Sequence, residues 1–161
     1  MDWIRKSFGE LDTKELYTII QTRIDVFVVE QQCPYRELDG HDYRAIHLFC
    51  KDGEKIVAYA RLLPKGTVYE QASIGRVLVH KQYRGQGFAR ELLQKAISHI
   101  TEQWQETMIK IQGQEYLRNF YASFGFQEIS DVYLDDDIPH VDMLLTTFPK
   151  ELDSPMGDSP R

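Results

Sequence analysis

The run Val77-Leu78-Val79-His80-Lys81-Gln82-Tyr83-Arg84-Gly85-Gln86-Gly87-Phe88-Ala89 decides the fold. Its apolar start reads as a strand and its polar middle as a turn. From Phe88 onward, Ala89, Leu92, Leu93, Ala96, Ile97, Ile100 and Trp104 recur at the period of a long amphipathic helix. Strand, glycine turn and helix start thus follow one another. Gly85 and Gly87 remove side chains where a ligand would approach the backbone, and the orphan amides of a helix's first turn carry partial positive charge. Together they read as a phosphate cradle, to which Arg84 adds a charge-assisted contact.

Working outward, Ser73–Val79 reads as a strand that meets an earlier hairpin of two apolar runs, Ala45–Cys50 and Ile56–Leu63, joined through Asp52-Gly53. Before them lies Asp12-Thr13-Lys14-Glu15, a capping box that starts a helix near Thr13 with Leu16, Ile19, Ile20, Ile24 and Phe27 on one face. Cys33–Tyr43 is rich in Pro, Gly and Asp and reads as a long loop. Downstream the pattern gives a strand at Met108–Gln112, a helix at Glu115–Phe124 capped by Gly125, and strands at Phe126–Tyr133 and Val141–Thr146 joined through Asp135-Asp136-Asp137-Ile138-Pro139. The fold class is α/β (mixed α+β): one central, mostly antiparallel sheet with a parallel middle and helices on its faces. Residues 149–161 bury almost nothing and read as a disordered tail.

At 161 residues, 42% hydrophobic, the chain fits one globular domain and is too apolar to be disordered throughout. Its net charge of −6 argues against a nucleic-acid partner. No apolar run reaches membrane-spanning length, and Met1-Asp2-Trp3-Ile4-Arg5-Lys6 lacks the apolar stretch of a secretory signal. A cytoplasmic protein with no membrane partner is expected, with Cys33 and Cys50 reduced and acting as small buried hydrophobes. Cys33, His41, His47 and Cys50 lack the paired spacing of a zinc site, so no metal is expected.

Two nucleotide readings of the glycine turn fail on their letters. A phosphate-loop NTPase needs Gly-x-x-x-x-Gly-Lys-Ser/Thr, which is absent, and a dinucleotide fingerprint meets Arg90 where its third glycine belongs. The stretch Arg84-Gly85-Gln86-Gly87-Phe88-Ala89 instead resembles the acyl-CoA motif of the GNAT superfamily of N-acetyltransferases, Gln/Arg-x-x-Gly-x-Gly/Ala. That family's second signature, an aromatic pair followed by Gly-Phe, is matched by Phe120-Tyr121-Ala122-Ser123-Phe124-Gly125-Phe126. Val26–Tyr35 and Asp137-Ile138-Pro139-His140-Val141 further resemble the ElaA branch, which commonly has Gly where Asp137 stands.

The resemblance implies a GNAT-type domain over residues 7–148, with a splayed sheet, that moves an acetyl group from acetyl-CoA to a primary amine of a small molecule or peptide. It implies that pantetheine adds alongside Val77, Leu78 and Val79 as another strand would. The pyrophosphate would rest on the amides of Arg84, Gly85, Gln86, Gly87, Phe88 and Ala89, with Gln114, Asn119 and Tyr121 also lining the coenzyme. A backbone amide near Val77 or Leu78 would stabilise the oxyanion. Tyr121 would protonate the departing thiolate, and His140, His47 or a water relay would take the ammonium proton. Glu30, Glu37, Asp39 and Asp42 read either as attraction for a cationic amine or as solvated charge. The alternative reading is a non-catalytic acyl-CoA-binding module. Homodimerisation stays open, since an edge strand and the aromatic content permit it.

Overall fold

Asp12 caps the first helix as its spacing from Glu15 predicts: the Glu15 amide donates to Asp12 Oδ1 at 2.7 Å, and the Asp12 amide to Glu15 Oε1 at 3.0 Å. The computed structural model describes residues 1–147, so the expected tail from 149 lies outside the described residues. The chain forms two compact units, which divide after Ala96.

In the first unit, α1 (Thr13–Ile24) continues into a wider π-type turn, Asp25–Glu30. Four antiparallel strands follow one another in space: β1 (Asp2–Ser7), β2 (Ile46–Asp52), β3 (Lys55–Leu63) and β4 (Ala72–Val79). The β2–β3 hairpin turns at Gly53, whose φ of 64° is the left-handed value a tight turn demands. β1 is a strand that the sequence reading did not place. Its charged Arg5 and Lys6 obscure the pattern, and backbone pairing with β2 from Asp2↔Lys51 to Ser7↔Ile46 holds it instead. One apolar cluster joins Ile19 and Val26 to Phe49, Ile56, Tyr59 and Leu78. β3 is buried along nearly its whole length, as expected of a strand covered on both faces. α2 (Phe88–Ser98) buries Leu92, Leu93 and Ala96 and ends in a second π-type turn, His99–Gln103, that buries Ile100.

In the second unit β5 (Met108–Gln114) pairs antiparallel with β8 (Ile138–Thr146), from Met108↔Thr146 to Gln114↔His140. Strict alternation separates two faces. Ile109, Ile111, Val141, Met143 and Leu145 are buried on one; Lys110, Gln112, Gln114, His140 and Asp142 occupy the other. A 3-10 turn, Glu115–Leu117, leads into α3 (Arg118–Ala122), closed by Gly125 at φ 102°.

The expected strand Phe126–Tyr133 is instead two short ones, β6 (Gln127–Glu128) and β7 (Tyr133–Asp135), both paired with β8. Between them Ile129 N donates to Asp142 O at 2.9 Å and Ser130 Oγ accepts from the Asp142 amide at 2.9 Å, so a side chain completes the pairing where the strand breaks. The expected connector from Asp135 to Pro139 is also shorter. Asp135 belongs to β7, Ile138 and Pro139 belong to β8, and only Asp136 and Asp137 turn, at φ 51° and 64°. Asp137 therefore stands in a conformation that favours glycine.

Candidate active site

The turn after β4 is built rigidly from its own polar groups. His80 N donates to Val57 O at 2.8 Å, Tyr83 N to His80 O at 2.8 Å, and the Tyr83 hydroxyl to Asp52 Oδ2 at 2.7 Å. Phe88 packs edge-on to Tyr83, with ring centroids 6.1 Å apart. These contacts hold the chain on both sides of Gly85-Gln86-Gly87, which stand exposed. Gly85 has φ 78° and Gly87 φ 90°, and a Cβ at either would project into open space. Both glycines thus satisfy a backbone that L-residues avoid, and both leave the backbone approachable. The first i→i−4 bond of the helix runs from Glu91 N to Gly87 O at 3.2 Å, so the amides of Phe88 and Ala89 have no partner within α2.

Arg84 sits otherwise than a free phosphate ligand would. Its Nε donates to Val79 O at 2.8 Å, and its Nη1 and Nη2 form a fork on Glu30 at 2.7 and 3.1 Å. That fork is roughly four-tenths exposed on both partners, at 43% and 40%, so a competing anion reaches it from solvent. The hydrogen bond and charge of Arg84 hold the Glu30 carboxyl below its ordinary range.

β4 carries an irregularity next to Gly75. Tyr59 pairs with Leu78 and Arg61 with Gly75, so Arg76 and Val77 together face the single residue Ala60. This is a β-bulge, and its first residue is Arg76, at φ 52°. Burial falls away at the same place: Ala72–Ile74 are buried, whereas Gly75, Arg76 and Val77 are half-buried. Main-chain groups near Val77 are therefore not all consumed by β3. Leu78 turns its side chain into the core, while Val79 is half-buried.

The loop acids are neither free bait for an amine nor solvated. Glu37 and Asp42 are buried at 4% and 7% exposure, in one cluster with Arg23, Arg61, Arg76 and Asp39. Arg23 Nε donates to Glu37 Oε2 at 2.6 Å and its Nη1 to Asp42 Oδ1 at 2.7 Å. Arg61 forks onto Asp39 at 2.8 and 2.9 Å. Burial alone would raise Asp39, but hydrogen bonds from Arg61 and the His41 amide, with the charges of Arg61 and Arg76, hold it well below the ordinary carboxylate range. Asp42 is lowered in the same way, against its own burial, by Arg23 and Arg61. His47, one expected base, lies fully inside this region. Its Nδ1 is 2.6 Å from the Tyr59 hydroxyl and its Nε2 3.0 Å from Asp42 O, and burial depresses its pKa. It is a structural histidine with both nitrogens engaged.

In the second unit Tyr121 is buried at 5% exposure, edge-on to Phe120 and Phe126 at 5.4 and 6.1 Å. A Cβ on Gly113 would meet its ring at 3.1 Å, so this glycine is the space the tyrosine occupies. Burial pushes the phenol far above its ordinary pKa and keeps it protonated at neutral pH. Gln114 pairs in register with His140 on the opposite, polar face, and Asn119 is exposed on α3. The His140 ring stacks on Tyr133 at 6.4 Å, and its Nδ1 lies 2.7 Å from Ile138 O. A carbonyl only accepts, so the Nδ1 carries the hydrogen and the neutral ring keeps its lone pair on Nε2. Tyr121 and His140 thus belong to opposite faces of the β5–β8 pair.

Sequence reasoning missed the arginine half of the buried cluster. The signal was present: Arg23 falls one turn after Ile19 on the buried face of α1, and Arg61 interrupts an apolar strand. A charge at a core position needs an opposite charge beside it, and the acidic loop was the available source.

The sequence matches the family described as "Acetyltransferase (GNAT) domain" over residues 15–147, and the chain belongs to that family. It is 37% identical to Protein ElaA of Escherichia coli over 89% of this chain and 95% of that protein. The crystal structure of that ElaA superposes with a TM-score of 0.83, covering 90% of this chain and 99% of its own, at 35% identity. An acyl-CoA N-acyltransferase from Pseudomonas aeruginosa matches with a TM-score of 0.86 at 39% identity, over 90% of this chain and 99% of that one. The fold is accordingly the GNAT fold, mixed α/β with mainly antiparallel strands. No helix among the described residues is long and apolar enough to cross a membrane.

Proposed function

We propose that this chain is a cytoplasmic N-acetyltransferase, with its working domain at residues 7–148, that moves an acetyl group from acetyl-CoA to a primary amine of a small molecule or peptide. The observation that carries the reading is the pair of exposed left-handed glycines, Gly85 and Gly87, at the mouth of α2, beside a strand whose pairing with β3 is interrupted by a bulge. The similar protein from Pseudomonas aeruginosa, described as an acyl-CoA N-acyltransferase, supports the donor class.

In this reading the pyrophosphate lies on the amides from Arg84 to Ala89, and Arg84 exchanges Glu30 for phosphate oxygens. Pantetheine runs along Val77, Leu78 and Val79, with Gln114 and Asn119 reaching its amides. The amine nitrogen attacks the thioester carbon, and the resulting oxyanion accepts from a main-chain amide near Val77 or Leu78. The C–N bond forms and the C–S bond breaks. The thiolate takes its proton from the Tyr121 hydroxyl, which burial keeps protonated. The proton that the ammonium sheds passes through water to His140 Nε2, because His140 and Tyr121 stand on opposite faces of the β5–β8 pair. No metal takes part.

Release of CoA thiol over a panel of amines tests this. Turnover with at least one amine is expected, and Tyr121→Phe should lower kcat by about tenfold or more with little change in the KM for acetyl-CoA, the mark of an interaction made late in the reaction. Acetyl-CoA binding without release for any amine, and no effect of Tyr121→Phe, would instead make the chain an acyl-CoA-binding module.

A further inference from the structure

The β4 bulge has a lock that the catalytic reading does not use. Arg76 is a non-glycine residue at φ 52°, in the middle of a strand, where an L side chain is disfavoured. Nothing local requires it: Gly75, the neighbour better suited to a positive φ, does not take one. Instead the Arg76 side chain is gripped from the loop that follows the π-type turn. Its Nε donates to Glu37 Oε2 at 2.9 Å, and its Nη2 donates to Glu37 O at 2.9 Å and to Asp39 Oδ2 at 3.3 Å. Its guanidinium also lies over the Tyr35 ring, 5.5 Å from the centroid, while the Tyr35 hydroxyl donates to Glu37 Oε1.

The gripping residues are themselves fixed. Glu37 is anchored by the fully buried Arg23, and Asp39 by the fork of Arg61, which stands on β3 beside Ala60, the residue facing the bulge. One polar cluster therefore holds both the bulged strand and the strand it is bulged against.

We infer that Arg76 is a positioning residue: clamped by Glu37 and Asp39, it holds β4 in the bulged register that presents the main chain of Val77 and Leu78 to the acyl-CoA. The inference rests on the acyl-CoA reading for its purpose, but the bulge itself can be tested without ligand. Its distinguishing consequence is that the side chain acts through the backbone. Glycine, which adopts φ 52° unaided, then replaces the arginine better than alanine does.

Crystal structures of unliganded Arg76→Ala and Arg76→Gly, with titration of each by acetyl-CoA, test this. In Arg76→Ala the register is expected to revert, pairing Ala60 with one residue, and affinity to fall by about tenfold or more, the scale of a left-handed alanine's cost. Arg76→Gly is expected to keep the bulge and recover most of that affinity. If Arg76→Ala does not fold and Arg76→Gly does, the inference stands, since the two differ by one methyl group. A bulge retained in Arg76→Ala, a glycine variant no better than alanine, or two variants that both fail to fold would overturn it. A wild-type chain that does not bind acetyl-CoA would contradict the acyl-CoA reading alone, because the unliganded structures still report on the clamp.

Discussion

The glycine turn at 84–88 and the loop at 33–44 are both polar, irregular and charged, yet they resolve their charge in opposite ways. In the turn, Gly85, Gln86 and Gly87 stand in solvent, and the one ion pair, Arg84 with Glu30, is open enough to exchange. In the loop, Glu37 and Asp42 are buried, and their arginine partners come from α1, β3 and β4. The turn leaves the backbone amides at its helix start unpacked, and the proposed function assigns them to a ligand. The carboxylates of the loop are paired within the fold. A buried, paired carboxylate cluster is scaffolding, whatever its charge suggests in the sequence.

Substitutions that separate the two regions rank from large to small. Arg23→Ala removes the most buried member of the loop cluster and leaves Glu37 with only Arg76 and Asp42 with only Arg61 as arginine partners; a loss of about 3–5 kcal/mol in denaturant unfolding is expected. A loss below 1 kcal/mol, on the order of an exposed pair, would place the loop in the same class as the turn.

Gly87→Val acts in the other region. Its side chain enters open space but at φ 90°, so stability should fall by only about 1–2 kcal/mol. Acetyl-CoA affinity should fall by more than about tenfold, since the side chain stands where the diphosphate approaches the backbone. Calorimetry on the folded variant checks this, and unchanged affinity would remove the cradle.

Acid should strike the loop rather than the turn. His47 has a folded pKa depressed below 6.5, so the unfolded chain takes up the proton first and stability declines as pH falls through that range. Asp39 and Asp42, depressed below 3.8, add a second decline at lower pH, where the unfolded carboxyls are protonated and the folded ones still charged. Denaturant midpoints measured from neutral pH downward should show both, and His47→Gln should flatten the first. The smallest effect belongs to Glu30→Gln, which should cost less than about 1 kcal/mol as an exposed pair while tightening acetyl-CoA binding a few-fold by freeing Arg84.

What was legible in the sequence follows the range of the interactions involved. The capping box at Asp12, the left-handed glycines at 53 and 125 and the amphipathic α2 are written in residues a few positions apart, and the structure reproduces them. β1 and the split of Phe126–Tyr133 depend on partners far along the chain, Cys50 for Trp3 and Asp142 for Ser130, and left no local pattern. In the candidate site the succession of strand, glycine turn and helix start was readable for the same reason: its residues are contiguous. The assignment of the loop acids failed because each needed an arginine at least 14 positions away to explain it, Arg23 for Glu37 being the nearest. His47 read as a titrating group because nothing in its neighbourhood announces that Tyr59 and the Asp42 carbonyl claim both of its nitrogens.

The central claim is that the main chain from Arg84 to Ala89 grips the diphosphate of a CoA thioester, and isothermal titration of the folded chain with acetyl-CoA addresses it most directly. Saturable heat at one site per chain, sharply reduced in Gly87→Val, is the predicted result. An absence of heat and saturation with acetyl-CoA and with longer acyl-CoA thioesters, on material whose fold is verified, would contradict it.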